Sequence, residues 1–290
     1  MSSTTKPNQS LPTYFIAHGG ASILFDDRPQ NKTIKANLKD IGKEILSLSP
    51  RPKAIVVFSA HFEAGENGHD YVNDFHKSHP AAYEYDWPHQ DAPEIAVHLW
   101  EHLRNAKINA KRVERGMDHG AWVPFKVMFP DEKPLDIPVV QISTFHDNDL
   151  ESQVRLGQAL QSLRHEGHLI IGSGMAIHAS KAIDEPVGHA SSEEERKAIR
   201  AKVLTESKAF DTILRAAVTN KDAKERNEAL LKLETLDEFK RAHPTIEVRS
   251  VHNILRRDGL TLVLHISTSN HLWLQQQQLE IQKWKSWAWT

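Results

Sequence analysis

Three histidines stand just past apolar runs. "TYFIA" at 13–17 leads into His18, "AIVVFSA" at 54–60 leads into His61, and "HLIIGSG" at 168–174 passes through Met175, Ala176 and Ile177 to His178. A strand needs no imidazole to end it, since Gly, Pro, Asn or Asp would serve. Imidazole is the commonest metal ligand near neutral pH, because it is largely unprotonated there. Three of them at equivalent strand exits make a metal centre a natural reading. Glycines accompany them, Gly19 and Gly20 after His18 and Gly172 and Gly174 before His178, and glycine lets backbone approach closely. A fourth candidate, His119, lies in "GMDHGAWVPF" (116–125). Its neighbours Asp118, Gly120 and Pro124 read as a loop, and a loop histidine suits proton transfer or binding of an anionic group.

The chain contains 18 histidines, so position has to discriminate between them. His98 and His102 are four residues apart in "AVHLWEHL", a spacing that can bind zinc from one helix face. They lack an adjacent catalytic glutamate, and the pair reads as a solvated helix face, with His165 and His168 likewise ordinary.

The elements that must position these groups are legible. The four runs "TYFIA", "AIVVFSA", "IPVVQIS" (137–143) and "HLIIGSG" are β-branched-rich and nearly continuous, as strands covered on both faces are. Between them lie helical patterns at 92–106 and 149–167, the second with Gly167 as its stop signal. A long helix is expected over 191–218, opened by a Ser192–Glu195 capping box, and a more charged one over 221–241. Strands alternating with helices predict a single α/β domain. Its central sheet, mixed or largely parallel, is flanked by helices, and sites in such sheets form at the carboxyl ends of strands.

Composition bounds the chemistry. There are 36 Lys+Arg against 38 Asp+Glu, a formal net charge of −2, so no basic excess points to nucleic acid. There is no cysteine, which excludes disulfides and thiolate chemistry. "MSSTTKPNQSLP" lacks the apolar centre of a signal peptide, and no run approaches a membrane span. The expectation is a soluble, cytoplasmic protein with no membrane partner and a disordered tail at 1–11.

Six stretches carry a family resemblance: "AHGG", "AIVVFSAHFE", "DHGAW", "PVVQIS", "GSGMAIH" and "AHPTIE". In order and spacing they resemble the class III extradiol ring-cleaving dioxygenases, and most of all their DOPA 4,5-dioxygenase branch. "NDFH" (73–76) and "AAYEYDWPHQDAPEIA" (81–96) resemble the branch's substrate-loop region. The likeness covers 12–247 and implies an extradiol dioxygenase that opens a DOPA-like catechol with O2. It implies one mononuclear non-haem metal, Fe(II) for catalysis with Zn(II) also accepted. It implies His18 and His61 as metal ligands, His178 at the metal or, as in more distant relatives, in acid–base work, and His119 near the substrate as a proton-transfer group. Partners would be a small aromatic diol and O2.

One departure stands out. The branch continues "HPTxEH", with the last histidine near the metal, whereas this chain reads "AHPTIEVRS" and places Val248 there. Glu247 could supply a carboxylate instead. Residues 248–290 hold four of the seven tryptophans, Trp273, Trp284, Trp287 and Trp289, and form an atypical C-terminal segment. That segment reads as a shifted frame, a retained intron or divergence. The rival readings are a metal-binding or interaction protein without activity on the same fold, and a zinc-dependent hydrolase.

Overall fold

The computed structural model describes residues 10–20, 22–27, 29–64, 87–145, 150–177, 180–243 and 262–263. His178, Glu247, Val248, half of the substrate-loop region (73–76 and 81–86) and nearly all of the C-terminal segment lie outside the described residues.

Four strands carry the sheet: β1 (Thr13–Ala17), β2 (Ala54–Ala64), β3 (Val139–Phe145) and β4 (His168–Gly174). A two-residue strand, β5 (Leu262–Val263), pairs with Thr13 and Tyr14 at the β1 edge. The order is β3-β2-β4-β1-β5, and every pairing is parallel. The largely parallel sheet expected from the sequence is therefore present. β4 sits between β1 and β2, so the ends of all three adjoin. Its register pairs Ala17 with Gly174 and Ser59 with Ser173, which aligns their carboxyl ends.

The uninterrupted apolar runs follow from burial on both faces. Alternate residues of a strand point to opposite sides. Tyr14, Ile16, Ile55, Val57, Leu169 and Ile171 enter one core with α1 (Ser22–Phe25), α2 (Pro29–Ser47) and α4 (His119–Met128). Phe15, Val56, Phe58 and Ile170 enter the other. That second core is closed by α3 (Pro93–Asn105), α5 (Leu150–Leu160), α6 (Ser180–His189) and α7 (Glu193–Thr219). Neither face is left for water, so neither requires polar alternation.

Helix limits differ from expectation where local chemistry intervenes. The pattern over 149–167 is α5 up to Leu160 and then a 3₁₀ turn, Gln161–Arg164. Gly167 does end it, at φ +93°, and its carbonyl accepts the Lys53 N–H at 2.8 Å. The pattern over 221–241 is three pieces: α8 (Ala223–Lys232), a 3₁₀ turn (Leu233–Thr235) and α9 (Asp237–Ala242). The break lets Leu233, Phe239 and Ala242 all reach the core. α7 begins as its capping box predicts. Ser192 is the cap and accepts from the Glu195 N–H at 3.1 Å.

Candidate metal centre

His18 is the first residue beyond β1, and His61 lies in the last third of β2. The β2–β3 pairing is regular up to Phe58 and resumes, shifted, at Glu63. Such an irregularity re-aims side chains, and here it falls on the segment that carries His61. His119 opens α4, which corrects the loop expected at "DHGAW". The three imidazoles converge at the carboxyl ends of β1 and β2, with their nearest ligand atoms within 4.8 Å of one another. The His18 and His61 Nε2 atoms are 3.2 Å apart. The His119 ring lies 4.0 Å from the His61 ring and 5.4 Å from the His18 ring, centre to centre.

Each letter of "DHG" has a physical task. Asp118 is fully buried and caps α4, accepting the Gly120 N–H at 2.9 Å. The same carboxylate accepts from the Ser59 hydroxyl at 2.6 Å and from the Gln141 side-chain amide, and Arg115 stands 3.6 Å away. Asp118 thereby ties α4 to β2 and β3 around His119. Ser59 in turn accepts the His61 N–H at 3.2 Å. Gly120 permits the approach: a Cβ there would lie 2.3 Å from Ser59 Oγ and 3.1 Å from His61 Cδ2.

Pro124 explains the orientation of His18. It lies inside α4 and has no N–H for the Gly120 carbonyl, its partner one turn back. The Ser173 hydroxyl, from the end of β4, donates to that carbonyl instead. Having spent its single proton, Ser173 Oγ can only accept from His18 Nδ1, 3.1 Å away. His18 is therefore the Nδ1–H tautomer, and its Nε2 lone pair faces His61. Outer hydrogen bonds of this kind orient metal-binding histidines.

The donor set fits a divalent metal. Two ligands bound at ~2.0–2.1 Å in tetrahedral geometry sit about 3.3 Å apart, close to the 3.2 Å between these two nitrogens. Imidazole nitrogens suit both iron and zinc.

The comparisons with known proteins agree. Residues 12–256 match the family described as the catalytic LigB subunit of aromatic ring-opening dioxygenase. The chain belongs to the LigB family. The sugar-beet (Beta vulgaris) 4,5-DOPA dioxygenase extradiol is 34% identical over 242 residues, covering 80% of this chain and 81% of its own. A 4,5-DOPA dioxygenase extradiol-like protein of Schizosaccharomyces pombe is 31% identical over 270 residues, covering 85% and 84%. An uncharacterized Escherichia coli K12 protein of known structure shares the fold, with TM-score 0.53 at 22% identity over 78% of this chain and 82% of that one.

In this LigB-family chain, three of the four histidines singled out in the sequence are brought together, and His178 lies outside the described residues. Sequence reasoning missed the supports, Ser59, Asp118, Gln141 and Ser173. Their one visible signal is that each lies in or beside a quoted strand or motif. It also missed the partner of His98, which stays more than a third exposed but stands 2.5 Å from Glu166. Among the described residues no helix is long and apolar enough to cross a membrane.

Proposed function

We propose that this chain is an extradiol dioxygenase that opens the ring of a DOPA-like catechol with O2, on a mononuclear non-haem metal held by His18 and His61. The observation that carries the reading is the pair of facing Nε2 atoms at 3.2 Å, with the His18 tautomer set by Ser173. Family membership supplies the reaction class, and the relatives named for 4,5-DOPA supply the substrate class. Fe(II) is the proposed metal for catalysis, and Zn(II) would fit the same nitrogens. His178, at the exit of β4, is the proposed third ligand.

When bound, the metal acidifies the catechol and brings it within reach of O2. The side chains do the rest. His119 stands beside the His61 ring, is nearly buried, and is proposed to take a catechol proton and return it to the product. Its place at the start of α4 keeps it there, because the Asp118 cap fixes the first turn. Ser173 and Ser59 hold His18 and the His61 backbone. One carbon–carbon bond beside the two hydroxyls breaks, and both atoms of O2 enter the product. We further propose 12–247 as the catalytic unit and 248–290 as an atypical end. The family match starts at residue 12 and passes 247 to reach 256.

The test is direct. Protein loaded anaerobically with Fe(II) is mixed with L-DOPA and air-saturated buffer. A yellow ring-opened product should form with one O2 consumed per catechol. His119→Ala should slow turnover by about 10²–10⁴-fold, the usual contribution of general acid–base catalysis. Absence of ring-opened product from several catechols, with iron bound, would overturn the proposal.

A further inference from the structure

A second group of metal-ligating side chains lies at the other end of the sheet. His168 is the first residue of β4, Glu166 stands two residues before it, and His98 and His102 project from α3. β4 runs seven residues from here to the end beside the first site, so at ~3.3 Å per residue the two clusters are about 20 Å apart. We propose that His98, His102, Glu166 and His168 form a second divalent-cation site, selective for zinc-like metals, that fastens α3 to the start of β4.

Geometry carries the case. Ligand atoms of His98, Glu166 and His168 lie within 4.8 Å of one another. The Glu166 carboxylate spans the two α3 histidines, Oε2 at 2.5 Å from His98 Nε2 and Oε1 at 3.3 Å from His102 Nε2. The second distance is the separation of two ligands on one tetrahedral zinc. Because the His98 carbonyl can only accept, the His102 Nδ1 that lies 3.1 Å from it carries the hydrogen. In the neutral ring, His102 then turns an Nε2 lone pair toward a carboxylate oxygen. Two electron-rich atoms face each other at 3.3 Å unless a cation lies between them.

His168 adds an independent observation. It is 4% exposed, and its buried Nδ1 has no hydrogen-bond partner among the described residues. A buried polar atom left unpaired is costly, and a bound ion reached by this nitrogen would remove that cost. Burial pushes the His168 pKa down, against a partial opposing pull from Glu166, which favours the neutral form that binds metal. His98 and Glu166 are each more than a third exposed, so an ion and its water have access from solvent. Three imidazoles and one carboxylate suit zinc in preference to calcium or magnesium.

The test uses the full chain stripped by chelator and titrated with Zn(II), then with Co(II) as an optical reporter. Wild type should bind two equivalents. His18→Ala/His61→Ala should keep one, and its Tm should rise by several degrees on adding Zn(II). Adding His98→Ala and Glu166→Gln, both at solvent-accessible positions, should abolish that remaining equivalent and the Tm shift. Failure of His18→Ala/His61→Ala to bind zinc overturns the site, as does binding indifferent to His98→Ala/Glu166→Gln. Should the double variant fold poorly, wild type against His98→Ala/Glu166→Gln gives the same decision: two equivalents falling to one, or no change. A cluster held by protons alone would bind no metal and counts against the proposal. Neither result depends on ring-opening activity.

Discussion

Gly120→Ala places a methyl carbon 2.3 Å from Ser59 Oγ, where ordinary contact is about 3.4 Å. Something must move by roughly 1.1 Å. Ser59 is a short side chain held at 2.6 Å by Asp118, so it cannot rotate away without giving up that bond. A hydrogen bond to a charged group contributes about 1.5–3 kcal/mol, and overpacking adds about 1–3 kcal/mol. Alanine recovers about 0.5–1 kcal/mol of helix propensity. The net destabilisation is therefore at least about 1.5 kcal/mol, a Tm loss of at least about 3 °C for a domain of this size. Ser59→Ala removes the same oxygen and forfeits the same bond. The double variant should accordingly fall short of the sum of the two singles by at least about 1 kcal/mol. The assay is a double-mutant cycle by urea unfolding, with metal content measured alongside. Strict additivity, or a stable Gly120→Ala chain with normal metal content, would refute the idea that α4 approaches β2 through the Gly120–Ser59 contact.

Three further outcomes are expected. Ser173→Ala should weaken metal binding by about 10–100-fold while the fold persists, because His18 loses the acceptor that sets its tautomer; titration with Zn(II) checks it in a chain lacking the second cluster. Ser192→Ala should lower stability by about 1 kcal/mol by chemical unfolding. Glu195 belongs to the same cap, and hydrogen bonds from the Ser191 backbone and side chain hold its carboxyl below the ordinary range. Its contribution is therefore present above the usual glutamate pKa and is lost as pH falls through the lowered one, which unfolding of wild type and Glu195→Gln between pH 6 and 3 would show.

The strands were legible because they are buried on both faces. "TYFIA" and "HLIIGSG" are β1 and β4 to the residue, and short, β-branched, nearly continuous apolar runs suit strands covered on both faces. His18, at the end of the first, was legible by position as one of the clustered imidazoles. What escaped was set by tertiary contact. Pro124 argued against a helix at His119, yet α4 forms, and Ser173, 53 residues from Gly120, satisfies the carbonyl that the proline leaves unpaired. His98 and His102 read as solvent-facing because their carboxylate, Glu166, is 68 residues from His98 and arrives only through folding. Asp118 read as a loop residue, although it is the cap that makes the loop a helix. Local patterns give strands and candidate ligands, whereas the partners that orient them are non-local.

The central claim is that His18 and His61 together hold the metal at which His119 works. The most direct measurement is metal bound per chain in the His98→Ala/Glu166→Gln background, where the second cluster cannot contribute. One equivalent of Fe(II) or Zn(II) is predicted, falling to near zero with His61→Ala and staying near one with His119→Ala. An equivalent retained after His61→Ala would contradict the account. So would loss of metal in His119→Ala as complete as in His61→Ala, which would make His119 a ligand and leave the proton-transfer role without its residue.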